Sequence, residues 1–279
     1  MLLAATALTA CGESGPSRAE TVAAFSTEVV PARFAALAES AGELNEAVDT
    51  WCETGDAGDL TEAVSVVRSG WNGLAPFWFG PVMERRSRPI IDPSVRPTEV
   101  DELLASVEPL TATSLRELYG ADQRGLGVLD VLAERPEVDD RTCEYGRAAG
   151  ELVAEETSAL AADWTGYGPT IGQDDAAAND ALEAMVNESL FALARVSGGN
   201  DTSPAATLDG VAEGILGADG TSGITALLND DVVEQLLTDV DAARSLEPSA
   251  VMRLEATITT NIVSSLGLSV QFSDADGDG

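Results

Sequence analysis

The chain contains no histidine and no lysine, and its 15 basic residues, all arginine, face 48 acidic ones. Without histidine there is no usual general base and no Ser-His or Cys-His dyad. Without lysine, lysine-based dyads are excluded as well. The net charge of −33 leaves no basic patch able to neutralise phosphates, which argues against nucleic acid as a partner. It also argues against docking the protein surface on anionic lipid. Aromatic residues make up only 5% of a composition that is 44% hydrophobic and rich in alanine, which favours helices over a β-sandwich. Long apolar runs are missing too. Leu2 to Ala10 is too short to cross a bilayer, and no other segment is a transmembrane candidate.

The chain's 279 residues suffice for one large domain or two small ones with a real core. The acidity has two readings: a solubilising surface suited to salty surroundings, or a carboxylate surface that gathers cations. The short apolar start runs into Leu8-Thr9-Ala10-Cys11, followed by a polar Gly-Glu-Ser-Gly-Pro-Ser stretch. That pattern matches a bacterial lipobox, in which Cys11 would be lipidated and become the mature first residue. The basic residues that usually precede the apolar run are missing, which suggests a translation start further upstream. One lipid-bearing terminus would make the membrane a partner through its anchor. Cys52 and Cys143 then form an even remainder, read in an exported protein as a disulfide. Zinc on two cysteines without histidine is the weaker alternative.

Helical periodicity dominates the rest. Phe34, Leu37, Leu44, Val48 and Trp51 share one helix face, as do Leu60, Val64, Val67, Trp71, Leu74 and Trp78 over residues 59–79. Prolines 89, 93 and 97 exclude a regular helix across the arginine-rich Glu84-Arg-Arg-Ser-Arg-Pro-Ile-Ile-Asp-Pro passage. Thr98 is expected to cap the next helix, and further short helices follow to Leu118 and over Arg124 to Ala133. Asp139 or Asp140 would cap a long helix from Arg141 to about Trp164, whose apolar face carries Glu156. The second half offers helices over Ala176 to Val196, around Leu208 to Leu216, from Ile224 to Leu246 with a cap at Asp230 or Asp231, and from Pro248 to Leu266. No comparable strand pattern occurs. The expected organisation is a signal segment over 1–11, a tether over 12–24, a helical bundle over 25–166 and a second over 174–279.

Several elements in order carry a family resemblance. They are the lipobox, Trp71 running to Phe79-Gly80-Pro81, Arg124-Gly-Leu-Gly-Val-Leu-Asp130, Arg141-Thr-Cys143 and the ending Leu266-Gly-Leu-Ser-Val-Gln-Phe-Ser-Asp-Ala-Asp-Gly-Asp278. Together, from about Phe25 to Asp278, they resemble the imelysin-like lipoproteins, also called insulin-cleaving or iron-regulated. The resemblance implies an all-α fold of two up-down helical-bundle domains with a site in the cleft between them. It also implies a link to iron or another divalent or trivalent cation, and to components of metal-uptake systems as partners.

The family's Gly-x-His-x-x-Glu element reads Gly125-Leu-Gly127-Val-Leu-Asp130 here, with glycine for histidine and aspartate for glutamate. A His-x-x-Glu pair places two ligands one helical turn apart; this chain lacks the first of them. The candidate ligand-binding residues are Phe79, Gly80, Pro81, Arg124, Gly125 and Asp130, with Arg85, Arg86 and Arg88 beside them. They would recognise an anionic or peptide-like ligand through arginine forks. The structural alternative makes the same residues a helix stop, a close helix contact and salt bridges.

Two cation motifs are weaker. Asp274-Ala-Asp276-Gly-Asp278-Gly279 matches the opening of an EF-hand loop without its bidentate glutamate. Glu151, Glu155, Glu156 and Asp163 could offer hard oxygen donors from one helix, or simply form its solvated face. The residues assign no catalytic group and fix no metal. The leading expectation is an extracytoplasmic, lipid-anchored binding protein, in the periplasm or at the cell surface. A peptidase of unusual, histidine-free mechanism and a structural surface lipoprotein are the alternatives.

Overall fold

A computed structural model of the chain describes residues 15–217 and 223–270. Cys11 and the acidic Asp274, Asp276 and Asp278 lie outside the described residues. Among those described, every regular element is helical. Helix α1 (Arg18–Ala24) passes through a π turn at Phe25–Val29 into α2 (Val30–Thr54), and α3 (Gly58–Gly73) returns antiparallel to it. Four short helices follow: α4 (Pro81–Arg85), α5 (Arg88–Ile91), α6 (Pro97–Ala105) and α7 (Ala112–Glu117). After α8 (Leu126–Ala133) comes the long α9 (Asp140–Ile171). The second half holds α10 (Asp175–Ser197), α11 (Pro204–Leu216), α12 (Asp230–Ala243), α13 (Pro248–Thr257) and α14 (Val263–Leu266).

The apolar stripes explain the packing. Phe34, Leu37, Leu44, Val48 and Trp51 of α2 are all buried, facing α9 and α3. Helices α7 and α8 close over α9, while α10 packs on α11 and α13. The halves meet where α11 lies on α3 and where α10 lies on both α1 and the Ala75–Phe77 turn. One contiguous set of buried apolar side chains runs through both. Cys52 of α2 and Cys143 of α9 form a disulfide with a Cα–Cα distance of 5.6 Å. None of the described helices is long and apolar enough to cross a membrane.

Local sequence logic departs from the periodic reading at several places. The helix expected over 59–79 ends at Gly73, because Pro76 supplies no N–H and the chain tightens into a 3-10 turn at Ala75–Phe77. The passage expected to be irregular holds α4 and α5, since Pro81 and Pro89 stand in their first turns, where a missing N–H costs nothing. Pro97 opens α6 in the same way, with Arg96 rather than Thr98 at the cap position. Asn229, not Asp230 or Asp231, caps α12 by accepting from the Val232 N–H. The expected tether over 12–24 is helical from Arg18. Ser17 and Glu20 form a reciprocal capping box there, and α1 lies on α10. Helix α9 continues past Trp164 to Ile171, and the carbonyl that Pro169 leaves without an N–H partner belongs to Thr165, an exposed residue.

The seam between the halves is close. A Cβ on Gly210 of α11 would overlap the backbone carbonyl of Gly73. Gly210→Ala is therefore expected to destabilise the protein by roughly 1–3 kcal/mol, as overpacking does, read from the midpoint of chemical unfolding. An unchanged midpoint would mean that α11 does not sit on α3 as described.

Candidate functional site

Arg68 stands on α3 beside the buried face of Leu60, Val64, Val67 and Trp71, with its side chain only 13% exposed. Its Nε lies 3.1 and 3.2 Å from the two oxygens of Asp92, which follows α5. Its two terminal nitrogens face Asp130 of α8 at 3.4 and 2.5 Å. The Thr202 hydroxyl, in the turn before α11, donates to Asp92 Oδ2 at 3.4 Å. Asn72 Nδ2 donates to the Arg68 carbonyl at 3.1 Å and to Thr202 Oγ1 at 3.2 Å. One guanidinium thus gathers two carboxylates from two other segments, and Thr202, from the second half, joins the cluster through Asp92 and Asn72. Burial pushes the Asp92 carboxyl above the ordinary carboxylate range, with Arg68 pulling against it. Burial alone would lower the Arg68 pKa, but the hydrogen bond to Asp130 and the charges of both aspartates outweigh it.

A second hub lies on α9. Glu156 has no accessible surface. Arg85 binds its carboxylate in a fork, at 3.0 Å from Nε and 3.2 Å from a terminal nitrogen. Arg116 approaches to 2.5 Å and the buried Ser87 hydroxyl donates at 2.7 Å. Burial pushes this carboxyl up, yet the hydrogen bonds from Arg85, Arg116 and Ser87 outweigh it and hold it below the ordinary range. Its acceptor capacity is spent. Arg85 also meets Asp163 at 3.2 Å, and Arg116 meets Glu155 at 3.5 Å, so these carboxylates of α9 are arginine partners rather than an open oxygen cage.

The candidate residues are dispersed around these hubs. Phe79 packs edge-on against Trp164 at 5.4 Å and against Tyr167 at 6.5 Å. Gly80 turns the chain at φ +51°, where a Cβ would lie 2.5 Å from the Tyr167 ring, and Pro81 then starts α4. Arg124 donates to the carbonyls of Pro89 and Arg116 at 2.9 and 3.0 Å, clamping the arginine-rich passage to α7. Gly125 runs against the Ile90 and Ile91 carbonyls. Asp130 joins Arg68. Through the Pro89 carbonyl, Arg124 ties the second motif element to the arginine-rich passage that follows the first. Arg68, Asp92, Asn72, Thr202, Ser87 and Arg116 were not singled out by the sequence. An arginine beside the apolar stripe of α3 is the one local signal among them.

Arginine also surrounds Trp78. Arg88 and Arg195 place their guanidinium carbons 5.0 and 4.7 Å from its ring centre, and Trp71 stacks on it at 4.7 Å. Among the described residues, Arg86, Arg88 and Arg253 are the arginines whose side chains make no hydrogen bond or close ion pair, Arg88 being within reach of the Glu188 charge, and Arg86 and Arg88 are both exposed. Arg86 sits at φ +56°, ending α4 in a left-handed turn. Two open cavities lie elsewhere. One of about 600 Å³ is lined by Ser17, Arg18, Asp175 and Asn179, and one of about 450 Å³ by Thr111, Asp140, Glu144 and Glu151.

The family model described as imelysin, a peptidase family, matches residues 30–203, a span holding both hubs and both motif elements. The chain belongs to the imelysin family. The imelysin-like protein from Psychrobacter arcticum 273-4 shares its fold at a TM-score of 0.72 and 16% identity, covering 93% of this chain and 99% of that one. A protein of Parabacteroides distasonis ATCC 8503 described as an iron-regulated protein A precursor matches at 0.70 and 14% identity, over 92% and 95%. No curated protein matches the chain.

The metal implied by the imelysin motif does not fit the residues here. Gly127 has no side chain, and a Cβ there would lie 2.8 Å from Val95 Cγ2 and 3.2 Å from the Pro93 carbonyl, so the space beside it is filled. Asp130 is engaged by Arg68. Among the described residues no group of three His, Cys, Asp or Glu could hold an ion.

Proposed function

We propose that this member of the imelysin family is an exported, lipid-anchored binding protein that acts in iron-regulated uptake without cleaving peptide bonds. The observation that carries the reading is the state of the motif. Position 127 is a glycine packed against Val95, and Asp130 is bound to Arg68. The lipobox at Cys11 and the Parabacteroides relative described as an iron-regulated precursor support export and the iron link. Iron would reach such a protein as an anionic chelate held by arginine rather than as a bare ion held by carboxylates. The exposed arginine turn, with Arg86 and Arg88 in no hydrogen-bonded ion pair and Arg88 lying over the Trp78 ring, is the contact surface that this reading favours.

Ferric citrate is the probe. Titrated into the full chain at physiological salt, it is expected to bind at one saturable site, and Arg86→Glu/Arg88→Glu to weaken it at least tenfold. Absence of binding, or binding that the double variant leaves unchanged, contradicts the reading.

A further inference from the structure

We infer that Arg68 is the resident cation of a site whose oxygen atoms would otherwise take a divalent ion, and that this site is closed to metal from within. Two carboxylates from separate elements converge on its guanidinium, and the Asp92 side chain is only 9% exposed. A carboxylate buried as far as Asp92 requires an opposite charge, while Asp130 is 42% exposed and completes the site from its open side. Asp92, Asp130 and the Thr202 hydroxyl are all hard oxygen donors, the set that suits manganese or calcium rather than zinc.

The guanidinium does more than balance charge. Its planar fork reaches Asp92 through one edge and Asp130 through its terminal nitrogens, which fixes the two carboxylates at a separation set by arginine. Asn72 holds the Arg68 backbone from one helical turn on and orients Thr202 toward the same group. An arriving metal ion would have to displace a cation that is covalently part of the protein and therefore present at high effective concentration. The inference rests on the reading that this member does not use a metal, but it concerns a different surface from the exposed arginine turn.

The test uses manganese as probe and the full chain, titrated calorimetrically at moderate salt and followed by thermal unfolding with Mn²⁺ or with EDTA. The wild type is expected to show only weak, many-site binding that salt screens. Arg68→Ala is expected to gain one saturable Mn²⁺ site at least tenfold tighter than any in the wild type, and Arg68→Ala/Asp130→Asn to lose it. If Arg68→Ala unfolds readily in EDTA, Mn²⁺ should restore its unfolding temperature, and failure to restore it overturns the inference. So does a stoichiometric Mn²⁺ site in the wild type that Asp92→Asn abolishes. Ferric citrate binding at Arg86 and Arg88 should be the same in Arg68→Ala, so the two proposals can fail separately.

Discussion

Glu156→Ala is expected to destabilise the protein by about 3 kcal/mol, the lower end of what removing one partner of a buried ion pair costs. The carboxylate is fully buried and satisfies Arg85, Arg116 and Ser87 at once. Its loss leaves two guanidinium groups and a buried hydroxyl facing an apolar cavity. The arginine side chains are 31% and 29% exposed and can turn partly to water, which is why the lower end applies. At this chain length the change corresponds to a fall of about 8 °C in the unfolding midpoint. Glu156→Gln keeps the acceptor and the shape but not the charge, and should cost about half as much.

The pH dependence follows from the direction of the shift. The folded protein holds Glu156 below its ordinary value of 4.5, so its contribution is complete above that value and is lost as pH falls through the folded pKa. Asp92 runs the other way: its raised pKa favours the folded state at low pH and withdraws support as pH climbs through the raised value. Glu156→Gln should therefore flatten the acid side of the stability profile, measured as unfolding midpoints between about pH 3 and 6. An unchanged acid limb would show that Glu156 is not held as described.

Removing the disulfide is the second large effect. The bond links residues 91 apart, and closing a loop of that size restricts the unfolded chain by about 4.6 kcal/mol in the chain-entropy account. Cys52→Ala/Cys143→Ala should lose most of this in chemical unfolding while keeping its helical spectrum, because α2 and α9 remain packed through Val48, Trp51, Tyr145 and Ala149. A loss below about 1 kcal/mol would mean that the unfolded chain is already compact between these residues. Loss of the helical spectrum would mean that the apolar seam between α2 and α9 does not hold on its own.

The helices were legible because their apolar residues repeat at helical spacing and nothing competes with that signal. Phe34 to Trp51 on α2 and Tyr145 to Leu160 on α9 bury the faces that their periodicity marks, and Asp139 caps α9 by accepting from the Thr142 N–H. What periodicity could not give was the conformation around proline. Pro76 ends a helix, whereas Pro81, Pro89 and Pro97 begin them, and only the surrounding chain decides which. The α9 carboxylates showed the same limit. Glu156 stood out as a charge on an apolar face, but its partners Arg85 and Arg116 come from elements 71 and 40 residues away. The Arg68 hub was harder still, since Asp92 and Asp130 are 24 and 62 residues from Arg68, and Thr202 lies 110 from Asp92. No short motif encodes such a convergence. The degenerate motif itself was legible from the missing histidine, and the structure adds that Val95 fills the space beside Gly127.

The most direct test of the central claim is a peptide-hydrolysis assay on the full chain, with an unfolded polypeptide as substrate and zinc, manganese or iron added in turn. No cleavage above the metal-only control is expected with any ion, and Asp130→Asn should change nothing. Metal-dependent cleavage abolished by Asp130→Asn or Asp92→Asn would contradict the account, because it would place a working metal where Arg68 now stands.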